Sequence, residues 1–377
     1  MTEPDPRRVG EVARLFTRLG FIGFGGPAAH IAMMREEVVR RRQWVDDQEF
    51  LDLVGACNLV PGPNSTELAI HLGLRRAGWR GFVAAAAGFI LPAVAIVLTL
   101  AWLYERYGTT AAAIDLSYGI LPVIVAIVAH AVVGLSRTAV KDVRLGLVAA
   151  AACAAWLLGV NELILLAVAA ALCAIPLSLP GARQHQASWL FALPAIGGAA
   201  AADPSWWRLG WVFLKIGAVL YGSGYVLVSF MEHDLVRELG WLTERQLLDA
   251  VAIGQVTPGP VFTTATFVGY QVYGLTGAAV ATVAIFLPAF VFVALLSRIV
   301  PFIRRSAVAG RALDGVVAAS LGLMAGALVR LARTAMHDPL TWALGLAALV
   351  VLLWKKPNTA WLVAAGAVAG LAHGALT

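Results

Sequence analysis

The sequence predicts an all-α polytopic membrane protein: two inverted-topology repeats, each of about five spanning helices plus a broken, re-entrant Pro-Gly-Pro helix. Three observations carry this expectation. Of 377 residues, 60% are hydrophobic and 13% charged, against a charged share of ~25% in soluble domains, and the mean hydropathy is +0.80. Apolar runs of spanning length recur along the chain. The second half repeats the first in register. So apolar a chain lacks the polar side chains to cover a soluble globule, and it is equally unlike a disordered one.

The N-terminus, Met1-Thr-Glu-Pro-Asp-Pro-Arg-Arg, carries both signs of charge. No clean apolar stretch with a small-residue cleavage site follows, so no removed signal peptide is expected. Arg7, Glu11, Arg14 and Arg18 then form a polar stripe at helical spacing, which fits an interfacial helix as well as a span. Apolar runs near 81–104, 112–136, 143–158 and 160–179 read as spans. The first of these is ~36 Å long as a helix, enough to cross with tilt. Residues 181–206, with Gly-Gly-Ala-Ala-Ala-Ala-Asp-Pro at 197–204, read as a linker. Four further runs follow, near 277–300, 312–333, 340–354 and 357–375. The repeats are therefore 8–180 and 207–377.

The two halves share a register. At a spacing of 197, Phe16 meets Phe213, Gly20 meets Gly217, Arg40 meets Arg237, and Trp44 meets Trp241. Pro61-Gly62-Pro63 meets Pro258-Gly259-Pro260, and Thr66 meets Thr263. After a one-residue gap, Gly81 meets Gly277 and Leu91-Pro92-Ala93 meets Leu287-Pro288-Ala289. Many transporters are built from two inverted halves with the binding site where they meet. Charge supports inversion. With the 35–50 loop in the cytoplasm, most loop cations gather there, from Arg35, Arg75 and Arg76 through Arg144 to Arg208 and Lys355, while Arg106, Arg237, Arg245, Arg330 and Arg333 fall opposite. The cations near the N-terminus are left on either side. Net charge +6 is thus explained by topology, and nucleic acid is not an expected partner.

Each Pro-Gly-Pro should end one helix and start another, because proline removes an N–H, restricts the residue before it and favours the first turn of a new helix. Asn64, Ser65 and Thr66, and Thr263 and Thr264, then sit in the first turns of the new helices. Unpaired N–H groups and partial positive charge make such turns anion-binding. The alternative is a packing kink or a surface loop. The glycine cluster Gly20-Phe-Ile-Gly-Phe-Gly-Gly-Pro27 and its mate Gly217-Ala-Val-Leu-Tyr-Gly-Ser-Gly224 break a helix or allow close backbone approach. Neither has the context of a nucleotide-binding loop.

Arg18 and Lys215 are mates and read as cations on embedded segments, either facing substrate or snorkelling. Asn58 and Gln255 are mates just before Pro-Gly-Pro. Glu67, whose mate is Thr264, is a candidate proton carrier or a solvated helix-end carboxylate; His30, His71 and His130 are weaker candidates. Cys57, Cys153 and Cys173 read as small apolar side chains, with no disulfide, metal or cofactor expected. No hydrolase or metalloprotease motif is present. Gly366, Gly370 and Gly374 mark either a dimer face or internal packing.

Phe16-Thr-Arg-Leu-Gly-Phe-Ile-Gly-Phe-Gly-Gly-Pro27, the Trp44 turn, Asn58-Leu-Val-Pro-Gly-Pro63 and Leu91-Pro92 resemble the chromate ion transporter family. The second half carries a variant copy, so the chain resembles the long, two-domain form. The resemblance implies a bacterial or archaeal inner-membrane protein that exports chromate, with sulfate as a competitor. It carries over Gly23, Gly25, Gly26, Pro27, Asn58, Pro61, Gly62 and Pro63 as site positions. With Arg18, Asn64, Ser65, Thr66 and their counterparts Lys215, Gly222, Gln255, Pro258, Gly259, Pro260, Thr263 and Thr264, these form the expected oxyanion site. The halves differ at Ser223-Gly224, which replace Gly26-Pro27. Other classes left open are a different oxyanion as substrate, an anion channel and an intramembrane enzyme. A homodimer in the bilayer is a further expectation.

Overall fold

The computed structural model describes residues 6–24, 26–57, 59–108, 110–175, 203–221, 226–355 and 359–376. Among these the chain is helical, without strands. The first half begins with α1 (Pro6–Ile22) and α2 (Gly26–Arg35), which continues as a π-helical turn over Glu36–Arg41. Helix α3 (Asp47–Cys57) follows, and α4 (Asn64–Tyr107) starts directly after Pro63.

Helix α4 is not one rod. Ala77 and Gly78 leave helical geometry, Gly78 at φ +61°. A β-carbon at Gly73 would lie against the Gly81 carbonyl and the Ala85 β-carbon. Residues eight apart touch only if the chain reverses, so arms 64–76 and 79–107 form an antiparallel hairpin. Small residues at 73, 77, 81 and 85 let the two backbones meet. The long arm, at ~1.5 Å per residue, is about 43 Å, enough to cross a bilayer.

Ion pairs place the ends of these elements. Glu11 meets Arg76 at 2.7 Å, Arg35 meets Asp47 at 2.6 Å, and Glu49 pairs with Arg75. The start of α1, the end of α2, the start of α3 and the end of arm 64–76 therefore share one rim. Both α1–α2 and α3–arm 64–76 enter from that rim and return to it. Their turns, at Gly23 and at Pro61-Gly62-Pro63, lie deep.

The second half repeats this with α8 (Trp206–Val219), α9 (Leu227–Met231) continuing as a π-helical turn over Glu232–Glu238, α10 (Glu244–Val256) and α11 (Thr264–Arg305). Tyr273 and Gly274 reverse α11 as Ala77 and Gly78 reverse α4. This rim is at the other end of the molecule. Tyr104 and Glu105, at the far end of arm 79–107, bond Asp249 at 2.7 Å and Tyr270 at 2.9 Å. The paired hairpins of the two halves thus open in opposite directions, which is the inverted arrangement.

Around them stand α5 (Ala111–Ala139), α6 (Val143–Leu157) and α7 (Glu162–Ala174), with their counterparts α12 (Ala307–Ala335), α13 (Pro339–Lys355) and α14 (Thr359–Leu376). Their starts are capped by Thr110, Asp142, Asn161 and Ser306 side chains. The halves interleave: α12 packs on α5, α6 and α7, and α5 on α13 and α14. Outward faces stay apolar. The mates Leu91 and Leu287 are both exposed, as lipid-facing positions should be.

The structure refines several expectations. The span expected at the start of each half is built as a pair of half-length helices that turn back. That is because Gly23 leaves the helix at Ile22 and Gly26-Pro27 starts a new one. The pair Glu11–Arg76 puts the start of α1 on the same rim as the 35–50 loop. Arg208, grouped above with the cytoplasmic cations, sits on the opposite side: it is in the first turn of α8, and Gly210 packs on Val280 soon after the Tyr273–Gly274 reversal. Gly366 and Gly370 close on Gly119 and Asp115 of α5, so this stripe serves internal packing. Of the expected linker 181–206, residues 181–202 lie outside the described residues.

Candidate functional site

The deep turns of the two halves cross each other. The Gly62 amide donates to the Leu220 carbonyl at 2.8 Å, and the Gly259 amide donates to the Gly23 carbonyl at 2.8 Å. Gly62 and Gly259 are repeat mates, and so are Gly23 and Leu220. Each Pro-Gly-Pro loop therefore docks on the helix break of the opposite half, and the two bonds are exchanged by the pseudo-two-fold axis. The glycines are needed for backbone shape: φ is +139° at Gly62 and +90° at Gly259, a region L side chains avoid. Space is equally tight. A β-carbon at Gly259 would come 2.7 Å from Ala93 Cβ, and one at Gly62 would run into the Glu67 carboxylate.

From this crossing two helices start. Proline 63 stands at the cap of α4, and Pro260 precedes a 3₁₀ turn (Val261–Thr263) that leads into α11. Both helices point their N-terminal ends at the crossing, bringing two positive dipole ends together. Pro61, Gly62, Pro63, Pro258, Gly259 and Pro260 are all buried.

The side chains of the first turns differ between the halves. His30 of α2 donates from Nε2 to the Gly23 carbonyl at 2.8 Å and accepts at Nδ1 from the Ser65 hydroxyl at 3.3 Å, in the tautomer this network assigns. Thr263 and Thr264 donate back to the Pro260 and Val261 carbonyls at 2.8 Å. Thr66 Oγ1 and both Glu67 carboxylate oxygens are fully buried and have no hydrogen-bond partner among the described residues. Gln255 is buried in the last turn of α10, and Asn64 is half-buried. Gly26 opens α2 with Pro27 beside it. Gly25, Asn58 and Gly222 lie outside the described residues.

Arg18 and Lys215 are not brought to the crossing. Arg18 meets Glu37 at 3.4 Å, and its side chain is 55% exposed. Lys215 meets Asp234 at 2.6 Å and Glu162 at 3.4 Å. Glu37 and Asp234 are themselves mates, so each half ties its first helix to the returning π-helical turn with the same kind of ion pair. The sequence reading missed this; two acids at the same spacing of 197 were the available signal. Glu162 and His233, 3.1 Å apart, have no such signal. Glu162, His233 and Asp234 cluster closely enough to ligate a cation, but the Lys215 ammonium already fills that role. Among the described residues every ion pair lies at a rim, and none reaches the crossing.

Comparison with known proteins agrees with this architecture. The family described as "Chromate transporter" matches residues 10–175 and 207–371. A chromate transport protein of Cupriavidus metallidurans is 32% identical, covering 96% of this chain and 92% of that protein. A chromate transport protein of Pseudomonas aeruginosa is 31% identical over 97% and 93%. An uncharacterized transporter of Methanocaldococcus jannaschii is 26% identical over 94% and 92%. No solved structure matches the chain.

Proposed function

The chain belongs to the chromate transporter family, and from that premise we propose that it is a secondary transporter exporting chromate from the cytoplasm. It is a multi-pass membrane transport protein and not an enzyme. The proposed setting is the inner membrane of a bacterium or archaeon, and the proposed consequence is chromate resistance.

The observation that carries this reading is the reciprocal crossing of two broken helices from inverted halves. Broken backbone at membrane depth is tolerated where it is enclosed by protein or lines a substrate path. Two helix N-termini converging there favour an anion. Since Arg18 and Lys215 are matched by carboxylates at the rims, a bound dianion would be held by first-turn amides of the two helices and by the Thr66 hydroxyl, which has no partner among the described residues. The Ser65, Thr263 and Thr264 hydroxyls already donate to His30, Pro260 and Val261. The two cations then serve to hold the half-helices together.

Export needs no further energy source. Moving two negative charges outward through 100 mV, inside negative, gains about 4.6 kcal/mol. The burial of the whole Pro-Gly-Pro crossing favours alternating access over an open channel. A second oxyanion reading, sulfate, is favoured by the same chemistry, because backbone donors distinguish tetrahedral dianions poorly.

The test is chromate retention in energised, chromate-loaded cells with and without the protein. Lower retention with the protein, lost when the membrane potential is collapsed, is expected. Equal retention overturns chromate export. Excess sulfate on the same side separates a shared oxyanion path from a chromate-selective one.

A further inference from the structure

Glu67 is the one acid among the described residues that is buried at the crossing. Its relative exposure is 0%, and neither carboxylate oxygen has a hydrogen-bond partner among the described residues. It sits in the first turn of arm 64–76, and its Oε1 occupies the space a side chain at Gly62 would need. The repeat mate of Glu67 is Thr264, whose hydroxyl is bonded within its own turn. The second half therefore has no equivalent acid.

Among the described residues, the surroundings of Glu67 hold no cation that pairs with it. From α3 comes Cys57, and from the end of α8 comes Tyr221, both close enough to feel its charge. From α11 comes the Ala289 methyl group, beside Gly62. In its own arm His71 lies one turn further on, and on α2 His30 is occupied by Gly23 and Ser65. Arg75 is engaged with Glu49 at the rim. A buried carboxylate without partner or counter-ion is costly. A dianion placed beside it would repel it further, whereas a neutral carboxylic acid would offer that dianion an O–H donor.

We propose that Glu67 is a proton-binding site linked to the anion site. One proton is taken up on the Glu67 carboxyl as a dianion settles at the crossing, and it leaves when the dianion leaves. This rests on the oxyanion reading and deepens it: each anion travels with one proton, so one net negative charge moves instead of two. Linkage is reciprocal, so raising the pH must weaken anion binding and anion must raise proton affinity.

The test uses the purified full-length protein in lipid nanodiscs, with sulfate and chromate as separate probes across a pH series. Sulfate stays a dianion throughout, so its binding reports the protein's proton alone. On the alkaline limb, where Glu67 is ionised before sulfate arrives, wild type is expected to take up about one proton per sulfate, read from the dependence of binding heat on the buffer. Its affinity should fall about tenfold per pH unit on the alkaline limb. Glu67→Gln should bind without proton uptake and with a flat pH profile.

Wild-type binding without proton uptake on the alkaline limb overturns the proposal and leaves the transporter reading standing, as does unchanged uptake in Glu67→Gln. Failure of wild type to bind either anion overturns the oxyanion reading and this inference with it. Should Glu67→Gln not fold, infrared difference spectra decide on wild type. A carboxylic C=O band that rises with sulfate and shifts in Glu67→Asp supports the proposal, and its absence overturns it.

Discussion

Gly62 and Leu220 lie in different halves of the chain, yet the amide of one donates to the carbonyl of the other at 2.8 Å. The mates of these two residues, Gly259 and Gly23, make the same bond in reverse. Two broken helices from opposite directions thus satisfy each other's backbone at depth, where an unpaired peptide group costs several kcal/mol. The two bonds that join the halves at the crossing are main-chain bonds, which explains why glycine and proline mark it in the sequence.

Gly259→Ala is expected to reduce transport at least tenfold. The new methyl group meets Ala93 Cβ, and φ of +90° adds strain of about 1–3 kcal/mol. Adding Ala93→Gly should restore part of the activity, since it removes the collision but not the strain. Initial rates of chromate flux in proteoliposomes, normalised to reconstituted protein, measure both. No gain in the double variant would show that the contact with Ala93 is unimportant.

The two mate ion pairs should differ in weight. The Arg18 side chain is half-exposed, so Arg18→Ala should cost about 0–1 kcal/mol of stability. Lys215→Ala strands Asp234 and Glu162, whose side chains are at most 2% exposed, and should cost about 3–5 kcal/mol. Thermal unfolding in one detergent compares them directly. Equal shifts would contradict the difference in burial.

The hairpin reversals separate space from strain. At Gly78 nothing lies within reach of an added β-carbon, but φ +61° with ψ −152° is a region essentially reserved for glycine, so Gly78→Ala should cost about 1–3 kcal/mol from strain alone. At Gly81 a side chain would run into the Gly73 carbonyl and Ala77, so Gly81→Val should prevent accumulation of folded protein. Size-exclusion profiles of the two variants expressed in parallel are the check.

Arg41 and Glu238 are repeat mates in the two π-helical turns, and both are exposed. In a background without native cysteines, Arg41→Cys should be shielded from a membrane-impermeant maleimide in intact cells, and Glu238→Cys should react. Labelling of both from outside would refute the inverted arrangement; the reverse pattern would turn the molecule over in the membrane.

Much of this architecture was legible in the chain. Composition announced the membrane, because lipid removes the need for a polar surface. The spacing of 197 announced the duplication and paired Gly62 with Gly259 and Arg18 with Lys215. Proline and glycine announced where helices break, since those two residues change the backbone itself. Only the tertiary structure decided what the breaks are for. A local pattern reports that Gly23 ends a helix, but not that its carbonyl will receive an amide from residue 259. It reports that Ala77 and Gly78 are small, but not that the chain reverses there. It marks Arg18 and Lys215 as embedded cations, but whether each meets a substrate or a carboxylate depends on helices that return from elsewhere in the chain. Helix breaks are set by one residue's own torsions and are written in sequence. Partners across the pseudo-two-fold axis are set by packing between distant segments, and those appear only once the halves are folded against each other.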